Sequence, residues 1–338
     1  VTAEHILLVT PAFHGYYRSI ADGFRQLDYT VTSYCYDLYS SATSKLRNKI
    51  MLELPQRVGI STHDARSRWD TQRAVDALRS VRPGRVLVIK GDSLGEEFWS
   101  ELDSMGVPVT LWLYDDLERH RYSFDSLSRL QPVLTYARSE AERLKEVGID
   151  ARYVPNAFDP SLAQLPTSWR NELVFVGAKY PNRTEILERL VRDGFPVRAY
   201  GRQWSRHPYD RLRTWELRRP SIPGERDIPL AEAYRIQGEG AGAINIHGLQ
   251  AGLSMRTFEI PGMGGVQFID RPDVAEFYDP GTEVLFYDSY DELRELAQRA
   301  LTDVDWTRSI RQRARERSLA HHTFRHRAEL VAGMWRHG

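Results

Sequence analysis

Residues 5–36 read HILLVTPAFHGYYRSIADGFRQLDYTVTSYCY, and this pattern decides the fold class. His5 to Thr10 is a short apolar run of the buried-strand kind, and Pro11-Ala-Phe-His-Gly15 breaks it. Over residues 16–27 the apolar side chains Tyr17, Ile20, Phe24 and Leu27 recur at helical spacing. Residues 30–36 return to β-branched and aromatic side chains. A strand, a helix and a second strand in this order make a crossover unit, which predicts parallel strands with helices on the sheet faces.

The alternation continues outward. The spacing predicts a helix over 70–80, ended by Pro83-Gly84, and a buried strand over 85–90. Ser93-Leu-Gly-Glu96 has the form of a capping box opening a helix that runs to Met105. Strands follow at 107–114 and 132–136, then a helix at 139–147 and a strand at 151–155. Residues 40–68 carry no pattern that assigns them. Pro155, Pro160 and Pro166 mark 156–171 as a linker. A second block then offers strands at 173–177, 196–200, 242–246, 266–270 and 283–287. Its helices are read at 184–193, 229–237 and 255–261, at a capped start on Ser289-Tyr-Asp-Glu292, and over 306–336.

Two such blocks predict an α/β protein of two Rossmann-like, doubly wound lobes facing across a cleft. The expected division is 1–155, 156–318, and a terminal helix at 319–338 packing back on the first lobe. Ligands in such lobes sit at the carboxyl ends of the strands, so the cleft is the expected site.

Composition narrows the function. The 338 residues carry 46 Lys and Arg against 46 Asp and Glu, a net charge of zero that argues against a wholly basic nucleic-acid binder. Apolar residues at 41% supply a large core and exclude global disorder. Cys35 is the single cysteine, which rules out an intramolecular disulfide, a cysteine-based zinc site and a CxxC redox pair. No apolar run reaches 18 residues and no leader-like segment opens the chain, so a cytoplasmic protein without a transmembrane segment is expected.

No P-loop signature occurs. Gly238-Glu-Gly-Ala-Gly242 precedes a strand instead of following one, so it reads as a turn and not as a dinucleotide fingerprint. Asp303-Val-Asp305 opens a helix and reads as a cap. His321, His322 and His326 lack an acidic or cysteine ligand, and Arg325 and Arg327 would repel a cation, so no metal site is expected there. Two strand ends could bear chemistry or be plain turns: His14-Gly15, and Asp115-Asp116 with His120 beyond it. The richest stretch is Asn245-Ile-His-Gly248, then Ser254-Met-Arg-Thr-Phe-Glu259, then Gly262-Met-Gly-Gly265. Arg256 and Glu259 share one helix face. Ser254, Arg256 and Thr257 offer donors suited to a phosphate, and a carboxylate one turn on suits vicinal hydroxyls such as a ribose.

The stretch from Asn245 to Asp270 resembles the CgeB-like, spore-maturation type of glycosyltransferase, whose members carry N-I-H, R-T-F-E and a glycine-rich turn. Tyr153-Val-Pro-Asn-Ala157, Phe175-Val-Gly177 with Arg183, Tyr200-Gly-Arg202 and His322-Thr-Phe-Arg-His-Arg327 extend the likeness over about residues 107–330. The resemblance implies a GT-B fold with the donor nucleotide held by the C-terminal lobe. It implies sugar transfer from a nucleotide-diphosphate donor, expected to be UDP-linked, with no metal or other cofactor and with retention. The acceptor would be a saccharide, a glycan or a small molecule. Glu259 would take the ribose hydroxyls, Arg183 and Arg256 would face the diphosphate, and Gly177 would keep the first turn open. Tyr200, Gly201 and Arg202, with the segment near Arg226, would lie by the base. Gly15, His247, Ser254, Met255 and Thr257 complete the expected donor-binding set. Arg256 is also the catalytic candidate, and if the reaction inverts the general base would be His14, Asp115, Asp116 or His120. Ala251 departs from the larger retaining group, which often has a second Glu there. The competing readings are a nucleotide-sugar 2-epimerase, a noncatalytic nucleotide-sugar-binding protein, and a transferase acting on nucleic acid, the last disfavoured by net neutrality.

Overall fold

The computed structural model describes residues 4–38, 63–163 and 168–337. Most of the stretch without an assignable pattern, 40–68, lies outside them, and so does part of the proline-marked linker. The chain divides into two compact units, 1–155 together with 327–338, and 156–326.

The first unit runs β1 (His5–Thr10), α1 (Tyr16–Arg25), β2 (Thr30–Cys35), α2 (His63–Val81), β3 (Arg85–Ile89) and α3 (Glu96–Met105). It continues through β4 (Val109–Trp112), α4 (Phe124–Arg129), β5 (Val133–Thr135), α5 (Arg138–Glu146) and β6 (Ala151–Tyr153). All the strands are parallel, in the order β2-β1-β3-β4-β5-β6. The order reverses between β1 and β3, so the crevice at their carboxyl ends is the switch point. Leu7, Val9, Val86, Val88 and Leu111 point from the strands into one cluster with Phe98 and Leu102 of α3. Each such buried side chain contributes about 1.5–3 kcal/mol.

Ser93 does not cap α3: Gly95 is the N-cap, and no side chain of its own satisfies the helix start. Instead the Gly95 N–H donates to Thr71 Oγ1 of α2 at 2.7 Å, a tertiary contact in place of a local one. Helix α4, unread in the sequence, is a short turn capped by Ser123, whose Oγ accepts from Ser126 N.

The second unit runs β7 (Arg170–Val176), α6 (Pro181–Arg192), β8 (Val197–Tyr200), α7 (Pro208–Thr214), β9 (Gly224–Glu225) and α8 (Leu230–Glu239). Then come β10 (Gly240–Asn245), α9 (Arg256–Gly262), β11 (Gln267–Ile269), β12 (Leu285–Phe286), α10 (Tyr290–Thr302) and α11 (Val304–His321). Its parallel sheet is ordered β12-β11-β10-β7-β8-β9, the dinucleotide-fold order with the switch point between β7 and β10. Ser289 caps α10 through Glu292 N, as its capping pattern predicts. Asp303 caps α11 through Trp306 N, so Asp303 serves the helix start. Gly238 to Gly242 end α8 and begin β10.

The expected single terminal helix is two, because the chain turns at His322-Thr323, where Thr323 bridges to Phe158. His322 Nε2 donates to the Phe277 carbonyl at 3.2 Å, and no group of three metal-ligating side chains occurs among the described residues. The last helix, α12 (Phe324–His337), lies in the first unit from Arg327 onward. There Trp335 stacks on Phe24 at 5.2 Å and donates to Thr110 Oγ1 at 2.9 Å. No helix among the described residues is long and apolar enough to cross a membrane.

A buried arginine locks the second unit. Arg311 of α11 donates through Nη1 to the carbonyls of Gly238 and Gly264, each at 2.9 Å. Its Nη2 donates to Gly240 at 2.6 Å and Ala241 at 3.2 Å. The Trp169 ring covers the guanidinium at 4.4 Å.

Candidate functional site

Four short segments meet at the β7/β10 switch point of the second unit. The first is the turn after β7. The Gly177 N–H donates to the Tyr200 carbonyl at 3.1 Å, and its own carbonyl accepts from Trp204 Nε1 at 2.8 Å. Gly201 has φ +146°, and a Cβ there would fall 2.7 Å from the Gly177 carbonyl oxygen, so only glycine lets the two turns interlock.

The second segment is the end of β10. Asn245 is buried; its Nδ2 donates to Gln267 Oε1 at 2.9 Å and Thr257 Oγ1 at 3.3 Å, and its Oδ1 accepts from Ser254 Oγ at 3.3 Å. His247 is also buried. Asp270 meets both its backbone N–H and its Nδ1 at 3.0 Å, while Nε2 accepts from the Ser254 N–H at 3.2 Å. That network assigns the ring proton to Nδ1. His247 therefore fixes the loop between β10 and α9 through both ring nitrogens. Arg271 ties down the same loop, donating to the carbonyls of Gln250 at 3.0 Å and Ala251 at 3.2 Å.

The third segment is the start of α6. Asn182 Nδ2 donates to the His247 carbonyl at 2.7 Å, and Arg183 Nε donates to the Ile246 carbonyl at 2.9 Å. The Arg183 guanidinium lies over the Tyr180 ring at 4.8 Å. Pro181 at the helix start presets the backbone for this entry.

The fourth is α9. Arg256 Nε donates to the Val176 carbonyl at 3.2 Å, and Nη1 donates to Glu259 Oε2. Glu259 is fully buried, whereas the Arg256 side chain is about a quarter exposed. The pair thus stacks an accessible cation over a hidden carboxylate, which an ionised group in such a place requires. Thr257 is also fully buried and its hydroxyl accepts the Asn245 amide, so it holds the helix in place. Ser254 and Met255 lie half-buried at the helix start.

The expected set therefore divides. Gly177, Arg183, His247, Ser254, Met255, Arg256, Thr257 and Glu259 are brought to the switch point. Tyr200, buried, and Gly201 support the turn from β8, while Arg202 pairs with Asp227 at 3.3 Å and Arg226 with Asp210 at 2.9 Å. Asn182, Asp270 and Arg271 escaped the sequence reading. Asp270 and Arg271 directly follow a strand whose place beside β10 only the tertiary fold gives.

Gly15 and the remaining candidates belong to the first unit, at the carboxyl ends of its strands. A narrow cavity of about 30 Å³ opens at the β1/β3 switch point, lined by Thr10, Phe13, Tyr16, Lys90, Tyr114 and Asp115. Left-handed backbone collects here: Gly15 has φ 93°, His14 φ 51°, Lys90 φ 65° and Tyr114 φ 63°. Such non-glycine residues carry strain that the surroundings must hold, and strain of this kind gathers at functional sites. His14 is exposed and edge-on to Phe13. Asp115 meets Lys90 Nζ at 3.6 Å and Arg119 at 3.3 Å. Asp116 is buried, accepts from the Tyr136 hydroxyl, and pairs with Arg119 at 3.3 Å.

His120 is buried beside Tyr122, with ring centroids 6.1 Å apart, and neither ring nitrogen has a well-formed hydrogen bond among the described residues. Burial lowers its pKa below the ordinary 6.5, against the opposing pull of Asp92 and Asp115. The unfolded chain then binds a proton that the folded one refuses. Stability is full above about pH 6.5 and falls as the pH drops from there through the lower folded value. His120→Phe is expected to flatten that acid loss, measured by denaturant unfolding at neutral and mildly acid pH; an unchanged slope contradicts it.

The likeness to known proteins bears on this geometry. Residues 183–333, from Arg183 through the Arg256–Glu259 pair, match the family model described as glycosyl transferase-like. Spore protein CgeB of Bacillus subtilis (strain 168) is 22% identical over 238 residues, 65% of this chain and 73% of that one. In sequence the chain is thus similar to the CgeB-like glycosyltransferases. Among solved structures, sucrose-phosphate synthase of Thermosynechococcus elongatus superposes with a TM-score of 0.67 at 11% identity, over 99% of this chain and 98% of that one. Anabaena Alr3699/HepE in complex with UDP and glucose superposes with a TM-score of 0.66 at 10% identity, over 98% and 99%. At that identity the likeness shows the fold, and it bears out the two-lobed Rossmann-like expectation. Most of the matched residues lie in the second unit, which holds the Arg256–Glu259 pair.

Proposed function

We propose that this glycosyltransferase uses a UDP-linked sugar, bound at the β7/β10 switch point, and transfers it with retention and without a metal. The observation that carries the reading is the accessible Arg256 guanidinium set over the buried Glu259 carboxylate at the edge where such folds hold nucleotides. In this reading the ribose hydroxyls donate to Glu259, sharing it with Arg256. Arg256 and Arg183 meet the negative charge that builds on the departing diphosphate, a role in which fixed cations are most effective. Gly177 and Gly201 leave the turn backbone open to the ligand. His247, Ser254, Met255 and Thr257 hold the frame, and Arg202 and Arg226 lie on the side assigned to the base. The UDP bound in the Anabaena structure supports the choice of base.

We assign the acceptor to the first unit, along the carboxyl edge of its sheet beside Lys90 and Asp115. An inverted product would instead call for a general base among His14, Asp115, Asp116 and His120, of which Asp115 and Asp116 are both paired with Arg119. Release of UDP from UDP-glucose, with water or a mixture of simple saccharides as acceptor, tests the proposal in the presence of EDTA. Turnover that chelation leaves unchanged, with the product keeping the donor's anomeric configuration, is the expected result. Turnover that only a divalent cation restores, or an inverted product, overturns the corresponding part.

A further inference from the structure

The segment between β8 and β9 leaves the sheet with the sequence Arg206-His-Pro-Tyr-Asp-Arg-Leu-Arg-Thr-Trp-Glu-Leu-Arg-Arg219. It holds five arginines and two acidic residues. Both acids are already paired. Asp210 is buried, accepts from Ser205 Oγ at 2.8 Å and pairs with Arg226 at 2.9 Å. Glu216 takes Lys179 Nζ at 2.7 Å and Arg219 at 3.2 Å. The Arg219 side chain is almost wholly buried and donates to the Gln203 carbonyl at 2.8 Å and Thr214 Oγ1 at 2.7 Å. These bonds pin the segment from within.

Its outer side is composed differently. Tyr209, Leu212, Trp215 and Leu217 are 56%, 66%, 86% and 79% exposed. Trp215 stands at the end of α7 with φ 55°, a left-handed conformation that bulky side chains adopt at a cost. Arg206, Arg213 and Arg218 are exposed among these residues and take part in no ion pair or side-chain hydrogen bond among the described residues. A pinned scaffold thus presents an unpaired cation set interleaved with an indole ring and two leucines.

We propose that this face docks on an anionic lipid surface. The charge is complementary, since guanidinium groups bind phosphate oxygens in a bidentate fork and lose little on dehydration. The apolar members choose the partner. Leu212 and Leu217 gain nothing from a nucleic-acid backbone, whereas leucine, tryptophan and arginine together match the headgroup–hydrocarbon boundary of a bilayer. The pairing of Asp210 with Arg226 and of Glu216 with Lys179 and Arg219 offsets the two negative charges that would repel such a surface.

Sedimentation of the full chain with vesicles of phosphatidylcholine, with and without phosphatidylglycerol, tests this. The protein is expected to partition onto the anionic vesicles, less so as salt rises. Arg206→Ser/Arg213→Ser/Arg218→Ser should weaken partition by about 100-fold, at roughly fivefold per cation near the surface. Trp215→Ser/Leu217→Ser should also lose it, with the unfolding midpoint unchanged. Quenching of wild-type tryptophan emission by brominated lipid gives the same answer without a variant. Absence of partition, equal partition onto neutral vesicles, or partition that neither variant weakens overturns the proposal. So does a face that instead binds an oligonucleotide or a second copy of this chain, with vesicle binding absent.

Discussion

Glu259→Gln weakens binding of the donor nucleotide by about 10- to 100-fold, the loss of a hydrogen bond to a charged acceptor in a buried place. The carboxylate is fully buried and its partner on the protein side is Arg256. The amide keeps the shape but loses the charge, and one of its two positions becomes a donor facing the guanidinium. The substitution therefore also loosens Arg256. Arg256→Ala acts later on the reaction path. It removes the cation that lies over the carboxylate and reaches Val176, and is expected to lower turnover by about 10- to 100-fold. Nucleotide titration with each variant, alongside single-turnover rates, separates the two. Undiminished binding in Glu259→Gln or normal turnover in Arg256→Ala contradicts the assignment.

Arg311→Ala is expected to destabilise the second unit by about 2–4 kcal/mol, as losing a buried hydrogen-bond network does. The side chain makes four hydrogen bonds to carbonyls from the end of α8, the start of β10 and the glycine turn after α9. Alanine would leave those oxygens short of donors and open a gap beneath Trp169. Burial pulls the guanidinium down to about 10, so it remains a cation at neutral pH and the carbonyl oxygens are what stabilise it there. Arg311→Lys keeps the charge but cannot reproduce a planar fork, and should fall between the two. Denaturant unfolding of the three proteins checks this, and an alanine variant within about 1 kcal/mol of the parent contradicts it.

The long elements were legible because their reason is local. β1, β3 and β7 each contain an unbroken apolar run, at 6–9, 86–89 and 173–176, and α1, α6 and α10 carry an apolar stripe at helical spacing. The short helices α4 and α7 were not legible, since a turn or two offers no period to read. The Ser93 pattern misled because Thr71, a tertiary neighbour, satisfies the helix start that a local side chain was expected to satisfy. The site was legible where chemistry sits in one stretch: Asn245, His247, Ser254, Arg256 and Glu259 lie within 15 residues of sequence. Asp270, Asn182 and Arg271 were not, because β11 comes to lie beside β10 and α6 reaches the end of β10 only in the folded sheet.

The most direct test is thermal unfolding with saturating UDP, GDP, dTDP or CMP, each in EDTA, on the parent protein and on Glu259→Gln. Ligand at about 100 times its dissociation constant adds roughly 2.7 kcal/mol, a rise of a few degrees for a chain of this size. UDP is expected to produce such a rise in the parent and none in the variant. No rise with any nucleotide, or a rise that Glu259→Gln leaves whole, would contradict it.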